Sequence, residues 1–308
     1  MISHISQTRK RSADVLLICV FKQYEEMERG NTMKHYNIGI QMYSVRDLLA
    51  ADFVGTLRAV KNIGYDYVEF AGNYGGYTGA QLKKLLDDNG LASVSVHQNI
   101  DLFIQNGLKQ FDFFAAYGVK YIAIPWYESS QLPGSDAWKR TKECFMHVGE
   151  MAKECGMDLL YHNHDFEFVK LDADYKYDIM FRELQGYVDP QPDVCWICYG
   201  GADPAAYLRK YADRIHVVHL KDFSCNQLGG GPVYALIGQE QSREESLESN
   251  NFHFRPLGDG QNDMKAILAA CEETSAEYLI VEQDAFTDID PLTAMKKSRD
   301  YLKENFGL

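Results

Sequence analysis

The stretch "MDLLYHNHDFEF", residues 157–168, begins as an apolar strand and ends in polar side chains. It follows "TKECFMHVGEMAKECG" (141–156), a helical pattern that closes with the glycine typical of the position just past a helix C-terminus. A helix that leads into a short strand with a polar end is one unit of a parallel α/β structure. The stretch therefore predicts an α/β fold, and it leaves open whether the two imidazoles and two carboxylates of its last eight residues, 161–168, bind a metal, transfer protons or only end a strand.

The same unit recurs along the chain from Met33. Strand-like runs separated by helical patterns occupy residues 37–43, 65–70, 92–97, 119–125, 157–163, 192–197, 214–220 and 276–282. Strands joined through helices pair in parallel. Eight such units in about 270 residues predict a single-domain (β/α)8 TIM barrel over residues 33–308. The alternative is a doubly wound open sheet, which would place its ligand where the strand order reverses.

Two segments do not fit the repeat. Residues 1–32 match no unit, so we expect an N-terminal extension outside the fold, with Met33 as the natural start and the segment before it a translated leader or the result of a misassigned start. A genuine mobile extension is the alternative. The long loop at residues 222–262 follows the seventh strand and is expected to be a lid or a subunit contact, with hinges in "LGGGPVYALIG" (228–238).

Charge and cysteine content limit the partners and the compartment. The formal net charge of −13 argues against nucleic acid and against an anionic membrane, and favours a small neutral or polar ligand. No run approaches the ~20 apolar residues that cross a bilayer. Seven scattered cysteines predict reduced thiols in a cytoplasm, and the isolated "CWIC" pair at 195–198 is too weak a motif to indicate redox or zinc chemistry.

Polar side chains gather where the predicted strands end. In a barrel these ends converge on one mouth, where the catalytic groups of such folds lie. The residue at the sixth strand is the exception, because Asp193 comes early in its predicted run. The side chains at the strand ends are Glu69, His97, the group from His162 to Glu167, His219, Lys221, Glu282 and Asp284.

The chain resembles the xylose isomerase-like TIM barrels, the sugar phosphate isomerase/epimerase group that includes the endonuclease IV branch. The resemblance covers nearly all of residues 33–308 and rests on the order of several motifs. These are "IGIQMYSVRD" (38–47), "YHNHDFEF" (161–168), "PDVCW" (192–196), "HVVHLKD" (216–222), "RPLGDGQNDMKAIL" (255–268) and "LIVEQD" (279–284).

The resemblance implies a divalent ion at the barrel mouth. Asp193, His219 and Glu282 match three of the family's ligands, and the fourth is a carboxylate of the fifth strand. There the chain departs from the family, because His162 stands where many relatives have Glu. We favour Glu167 as the ligand, with His162 as a fourth ligand or as the base beside it. Manganese is the expected ion, and magnesium, cobalt or zinc also suit one imidazole with three oxygen donors.

The resemblance further implies an isomerase or epimerase that acts on a sugar or keto-sugar through an enediolate. His162 and His164 are the candidate bases, and Lys221 would stabilise an oxyanion unless it forms a surface salt bridge with Asp222. A second departure is Trp196, where epimerases of the family commonly carry a substrate-binding His. It suits stacking on a sugar ring, although packing in the core is equally compatible with it. The side chains expected to bind substrate are Glu69, His97, Trp196 and Arg255.

Rival functions are also considered. Relatives with "YHNH" include proteins that process inososes and 3-keto-glycosides, so a lyase or dehydratase is the main alternative. A DNA-repair endonuclease is disfavoured by the acidic charge, and a non-catalytic subunit of an enzyme complex is a further alternative. The glycines of "GDGQND" (258–263) could cradle a phosphate, but a tight turn into a helix capped by Asn262 or Asp263 explains them as well.

Overall fold

The computed structural model describes residues 34–229 and 248–308. The expectations for residues 1–32, for the start at Met33 and for most of "LGGGPVYALIG" lie outside these ranges. The barrel unit comprises Tyr36–Phe306.

Eight parallel strands form the barrel wall within the described residues. Their order around the sheet is β8-β5-β4-β3-β2-β1-β12-β9. The two outer strands meet at a parallel bridge between Asp193 and His219, where the His219 amide donates to the Pro192 carbonyl at 2.9 Å. This bridge joins the two ends of the eight-stranded sheet, so the predicted (β/α)8 barrel is confirmed. The strands are β1 (Asn37–Gln41), β2 (Tyr67–Ala71), β3 (Ser95–His97), β4 (Tyr121–Ile124), β5 (Asp158–His162), β8 (Asp189–Gln191), β9 (Val217–Leu220) and β12 (Tyr278–Val281).

Helices cover the outside of the wall, and many begin and end as their sequences predict. Thr78 forms a capping box with Gln81 before one helix, and Gly64 ends another with φ +110°, a conformation that costs glycine little. The helices are α1 (Arg46–Ala51), α2 (Phe53–Ile63), α3 (Gly79–Asp88), α4 (Asp101–Asn106), α5 (Leu108–Ala115), α6 (Trp138–Glu154), α7 (Lys176–Glu183), α8 (Val194–Tyr199), α9 (Pro204–Lys210), α10 (Met264–Cys271) and α11 (Pro291–Phe306).

Alternate strand residues point into the barrel. An apolar cluster that includes Tyr121, Leu160, Val217 and Ile280 fills the interior. Two residues further along their strands, the inward positions become His162, His219 and Glu282, because side chains alternate with a period of two. The change from apolar to polar along each strand therefore fixes where the site lies.

The prediction for the sixth strand is wrong in its bounds. The strand is Asp189–Gln191, and most of the predicted run 192–197 is the helix α8. Asp193 begins that helix as its N-cap, where Oδ1 accepts from the Cys195 amide at 2.8 Å and the Trp196 amide at 3.3 Å. Asp193 therefore follows its strand and is not early in it.

The long connection after β9 has a short strand near each end, and these two strands pair with each other. β10 (Asp222–Ser224) pairs antiparallel with β11 (His253–Arg255), and a second small hairpin joins β6 (Lys170–Leu171) to β7 (Asp174–Tyr175). Among the described residues, no helix is long and apolar enough to cross a membrane.

Candidate active site

Donor atoms from four strand ends meet inside the barrel mouth. One donor atom from each of His162, Asp193, His219 and Glu282 lies within 4.8 Å of the others, and all four residues are buried. His219 Nδ1 is 2.9 Å from Glu282 Oε2, and His162 Nε2 is 3.6 Å from Asp193 Oδ2. The structure thus brings together the three ligands that the resemblance implied, with His162 as the fourth member.

These residues fit a divalent cation. Asp193 Oδ2 is buried and makes no hydrogen bond within the described parts of the chain, and the groups nearest to it are Lys221 Nζ at 3.4 Å and His162 Nε2 at 3.6 Å. Such unsatisfied buried atoms are costly unless they serve a ligand or a catalytic role. Two carboxylates and two imidazoles suit Mn²⁺, Zn²⁺ or Co²⁺, and less readily Mg²⁺, which prefers oxygen.

Burial and mutual charge set the protonation of this group. Burial lowers the pKa of His162 well below its usual range, and His219 and His97 lower it further, so His162 is a neutral imidazole with a lone pair to give. Burial raises the pKa of Asp193 to about 6 although Lys221 opposes the shift. For Glu282, burial acts to raise the pKa, but Lys221 and His219 outweigh it and hold the pKa well below its usual range.

A second group of potential ligands shares His162 and His219 with the first. His97, His162 and His219 also have donor nitrogens within 4.8 Å of one another. However, His219 Nε2 is 2.7 Å and His97 Nε2 is 3.0 Å from Glu69 Oε1. Because these two nitrogens face a carboxylate already, the group with Asp193 and Glu282 is the better candidate for an ion.

Glu167 is not brought into either group. Its Oε1 accepts from the Tyr161 hydroxyl at 2.5 Å and its Oε2 from the His164 amide at 2.8 Å. Tyr161 points out of the wall and packs against Phe145 of α6, with ring centroids 5.8 Å apart. Burial raises the pKa of Glu167 to about 8, although both hydrogen bonds oppose the shift. Asp165, two residues before Glu167, is buried as well.

Lys221 reaches into the site. Its Nζ lies 2.8 Å from Asp284 Oδ2, 3.3 Å from Glu282 Oε2 and 3.4 Å from Asp193 Oδ2. The same ammonium is 5.2 Å from the ring centroids of both Trp196 and Phe254. Lys221 is 1% exposed, so it is a buried cation of the site and not part of a surface pair with Asp222.

Asp222 points the other way and organises "GDGQND". Its carboxylate accepts from the backbone amides of Phe223, Gly258, Gly260 and Asn262 at 2.9 to 3.1 Å. Asp263 caps α10 through the Ala266 amide at 2.9 Å. The amides that could have cradled a phosphate are therefore bound to a carboxylate of the chain, which supports the interpretation of this motif as a tight turn before a capped helix.

A cavity of about 350 Å³ opens above the group. Of the side chains predicted to act on substrate, His97, His162, His164 and Lys221 line it. Sequence reasoning missed Gln98 and Trp126, which also line the cavity. Both directly follow a strand end or lie close to one, so the rule that found the histidines could have found them too.

Three residues predicted to bind substrate are placed elsewhere. Trp196 is 1% exposed and lies in an aromatic cluster, where its ring stacks on Phe252 with centroids 5.7 Å apart. Arg255 lies in β11, where its Nε donates to Ser224 Oγ at 3.0 Å beside a different cavity. Glu69 is fully buried below the main cavity. None of the three lines the main cavity.

Known proteins resemble this chain in sequence and in fold. The family model described as xylose isomerase-like TIM barrel matches residues 57–305. An inosose dehydratase of Clostridium perfringens is 28% identical over 219 residues, which cover 64% of this chain and 69% of that protein.

Solved structures share the fold. A sugar phosphate isomerase/epimerase from Parabacteroides distasonis superposes with a TM-score of 0.67 at 21% identity, covering 88% of this chain and 96% of that one. A xylose isomerase-like TIM barrel protein from Mycobacterium smegmatis, in complex with magnesium, has a TM-score of 0.62 at 14% identity, covering 87% and 96%. With a family model matched over most of its length and enzymes among its relatives, the chain is an enzyme and belongs to the xylose isomerase-like TIM barrel family.

Proposed function

We propose that this chain is a divalent-metal-dependent enzyme that removes the proton next to the carbonyl of a keto-sugar, as an isomerase or epimerase. The observation that carries the proposal is a buried group of potential ligands beside a cavity that His164 and Lys221 also line. The group consists of His162, Asp193, His219 and Glu282. The likeness to sugar phosphate isomerase/epimerase and inosose dehydratase proteins supports a carbohydrate substrate.

His162 replaces Glu167 in the proposed ligand set. Both oxygens of Glu167 hold other partners, whereas His162 points at Asp193 as a neutral imidazole. Asp193, His219 and Glu282 complete the set. A bound divalent ion supplies Lewis-acid stabilisation of the negative charge that develops on the carbonyl oxygen. Manganese is our proposed ion, as for the sequence alone.

His164 is then the imidazole assigned to move the proton. It lines the cavity outside the ligand set, and its backbone amide is fixed by Glu167 at 2.8 Å. Imidazole titrates in the range that general-base catalysis near neutral pH requires. Lys221 Nζ lies on the side of Glu282 and Asp284, where it can donate a hydrogen bond to the developing oxyanion.

Elimination is the second candidate reaction. It begins with the same proton removal and continues with loss of a hydroxyl group from the next carbon. The similarity to inosose dehydratase favours it specifically. A carbonyl compound that gains deuterium without losing water indicates isomerisation or epimerisation, whereas an unsaturated product indicates elimination.

We further propose a small-molecule carbohydrate as the partner and the cytoplasm as the location. The cysteines of the described residues are free thiols. Burial raises the pKa of the Cys195 thiol well above its usual range and that of Cys198 to about 11. Such raised pKa values suit structural cysteines and not redox cysteines. We also propose that the chain forms a homo-oligomer or binds a partner subunit.

The test combines metal analysis with isotope exchange. Purified protein is analysed for bound metal and then incubated in D₂O with ketoses, inososes and 3-keto-glycosides, with NMR detection of deuterium next to the carbonyl. We expect exchange that Asp193→Ala abolishes, that His164→Gln lowers by about 10²- to 10⁴-fold, and that the exposed control Asp259→Ala leaves unchanged. Exchange that persists in Asp193→Ala would contradict the proposal. Unchanged activity of a native complex with that variant would favour a non-catalytic subunit.

A further inference from the structure

Glu69 is a buried charge at the centre of a hydrogen-bond network below the cavity. Its Oε1 accepts from Gln41 Nε2 at 2.8 Å and faces His219 Nε2 at 2.7 Å. Its Oε2 accepts from Gln191 Nε2 at 2.9 Å and from the Ser95 hydroxyl. Its side chain is fully buried. A buried carboxylate requires such partners, and here they come from strands on both sides of the barrel.

The position of Glu69 excludes direct contact with a substrate in the cavity. It does not line that cavity, and both of its oxygens are engaged. Donors from Gln41, Ser95 and Gln191 and ring nitrogens of His97 and His219 surround its two oxygens, an environment that suits a carboxylate. Any effect of this charge on the reaction must therefore pass through one of its neighbours.

His219 is the neighbour through which it can act. The two ring nitrogens of His219 face different carboxylates: Nε2 faces Glu69, and Nδ1 faces Glu282 within the proposed ligand group. A neutral imidazole carries its proton on one nitrogen only, and a carboxylate beside one nitrogen keeps the proton there. A divalent ion that engages Glu282 would leave Glu69 as the carboxylate that holds the ring proton, on Nε2, and the lone pair would then lie on Nδ1, the nitrogen on the side of Glu282.

We propose that Glu69 is a positioning residue for the metal ligand His219, fixing its ring orientation and its tautomer. The inference rests on the proposed metal centre and assigns to Glu69 a role other than substrate binding. Carboxylates that hold the second nitrogen of a ligand histidine raise the basicity of that ligand and the affinity for the metal.

The same carboxylate links His219 to a residue of the cavity wall. His97 Nε2 is 3.0 Å from Glu69 Oε1 and 2.8 Å from Gln191 Oε1. The rings of His97 and His219 stack with centroids 5.0 Å apart and planes 9° apart. Glu69 thus fixes both imidazoles through one oxygen, so loss of its charge releases the ligand and the cavity wall together.

The test measures cobalt(II) affinity by calorimetric titration of the metal-free full-length protein. Glu69→Gln keeps the shape and one acceptor but removes the charge, and Glu69→Met removes both. We expect cobalt binding to weaken by about 10-fold in the first variant and about 100-fold in the second. Glu167→Gln is the matched control, since it replaces another buried glutamate near β5 by its amide and should bind cobalt as the wild type does.

A second measurement separates positioning from mere folding. In the cobalt-loaded protein, the ring N–H of His219 gives a paramagnetically shifted proton signal, whose exchange with water should be slow in the wild type and faster in Glu69→Gln. Melting temperatures check that each variant is folded. If Glu69→Met is not folded, Glu69→Gln alone tests the positioning role.

The outcomes are distinguishable. Wild-type affinity and slow exchange in Glu69→Gln would overturn the positioning role while leaving the metal centre intact. Wild-type protein that binds no cobalt, or Asp193→Ala that binds it as tightly as wild type, would overturn the proposed function and this inference with it.

Discussion

The carboxylate of Glu167 accepts a hydrogen bond from the Tyr161 hydroxyl on the side of β5 that faces α6. His162, the residue after Tyr161, faces the barrel interior. Neighbouring residues of a strand point to opposite faces. The pairing with Tyr161 therefore turns Glu167 away from the ligand group, and His162 takes the inward position.

This arrangement predicts which fifth-strand residue holds the metal. We expect His162→Ala to lose at least about 10-fold in metal affinity, and Glu167→Gln to bind metal at wild-type stoichiometry. Elemental analysis after dialysis, with calorimetric titration, checks both. Loss of metal in Glu167→Gln alongside full binding in His162→Ala would contradict the assignment.

Glu167 also predicts a pH dependence of stability. Burial raises its pKa from 4.5 to about 8 in the folded chain. Between these values the native state binds more protons than the unfolded state, so the free energy of unfolding falls as pH rises, by up to about 1.4 kcal/mol per pH unit. Glu167→Gln cannot ionise and should lose this slope. Urea unfolding of both proteins across this window measures it, and a wild-type to variant difference that is constant with pH would contradict the prediction.

Lys221 is predicted to support the reaction while weakening metal binding. Its ammonium lies 3.4 Å from Asp193 Oδ2 and 3.3 Å from Glu282 Oε2, so it competes with a cation for both carboxylates. We expect Lys221→Met to bind metal several-fold more tightly but to lose about 10²- to 10³-fold in kcat. Lys221→Arg keeps the charge and is the control for affinity. Weaker metal binding in Lys221→Met would show that the lysine supports the ligands and does not compete with the ion.

Asp222 is predicted to act on stability and not on phosphate binding. Its carboxylate satisfies the amides of Phe223, Gly258, Gly260 and Asn262. Removing this carboxylate deprives one buried and three partly buried backbone amides of their acceptor, so we expect Asp222→Ala to lower the free energy of unfolding by about 2–4 kcal/mol. Urea denaturation tests this, with Asp259→Ala as an exposed control. Stabilisation of the wild type by added phosphate, lost on Gly260→Ala, would instead indicate a phosphate site.

Much of the fold could be predicted because it depends on local patterns. Strand and helix periods and the glycines at helix ends are properties of short segments, and eight repeats of one unit specify a barrel. The sixth strand escaped because Pro190 and Pro192 obscure its pattern and the apolar run after them is helical. A short apolar run cannot be assigned to strand or helix by periodicity alone.

The sequence by itself predicted that His219, Lys221 and Glu282 would meet at one mouth, because parallel strands of a barrel end on the same side, whereas Asp193 was placed with them only by the family resemblance. Only the tertiary structure placed His162, and not Glu167, beside Asp193, put Trp196 in the aromatic core and set Glu69 behind His219. These outcomes depend on which atom of a distant segment lies within about 3 Å, and hydrogen-bond partners are chosen at that distance. Spacing along the chain does not specify it.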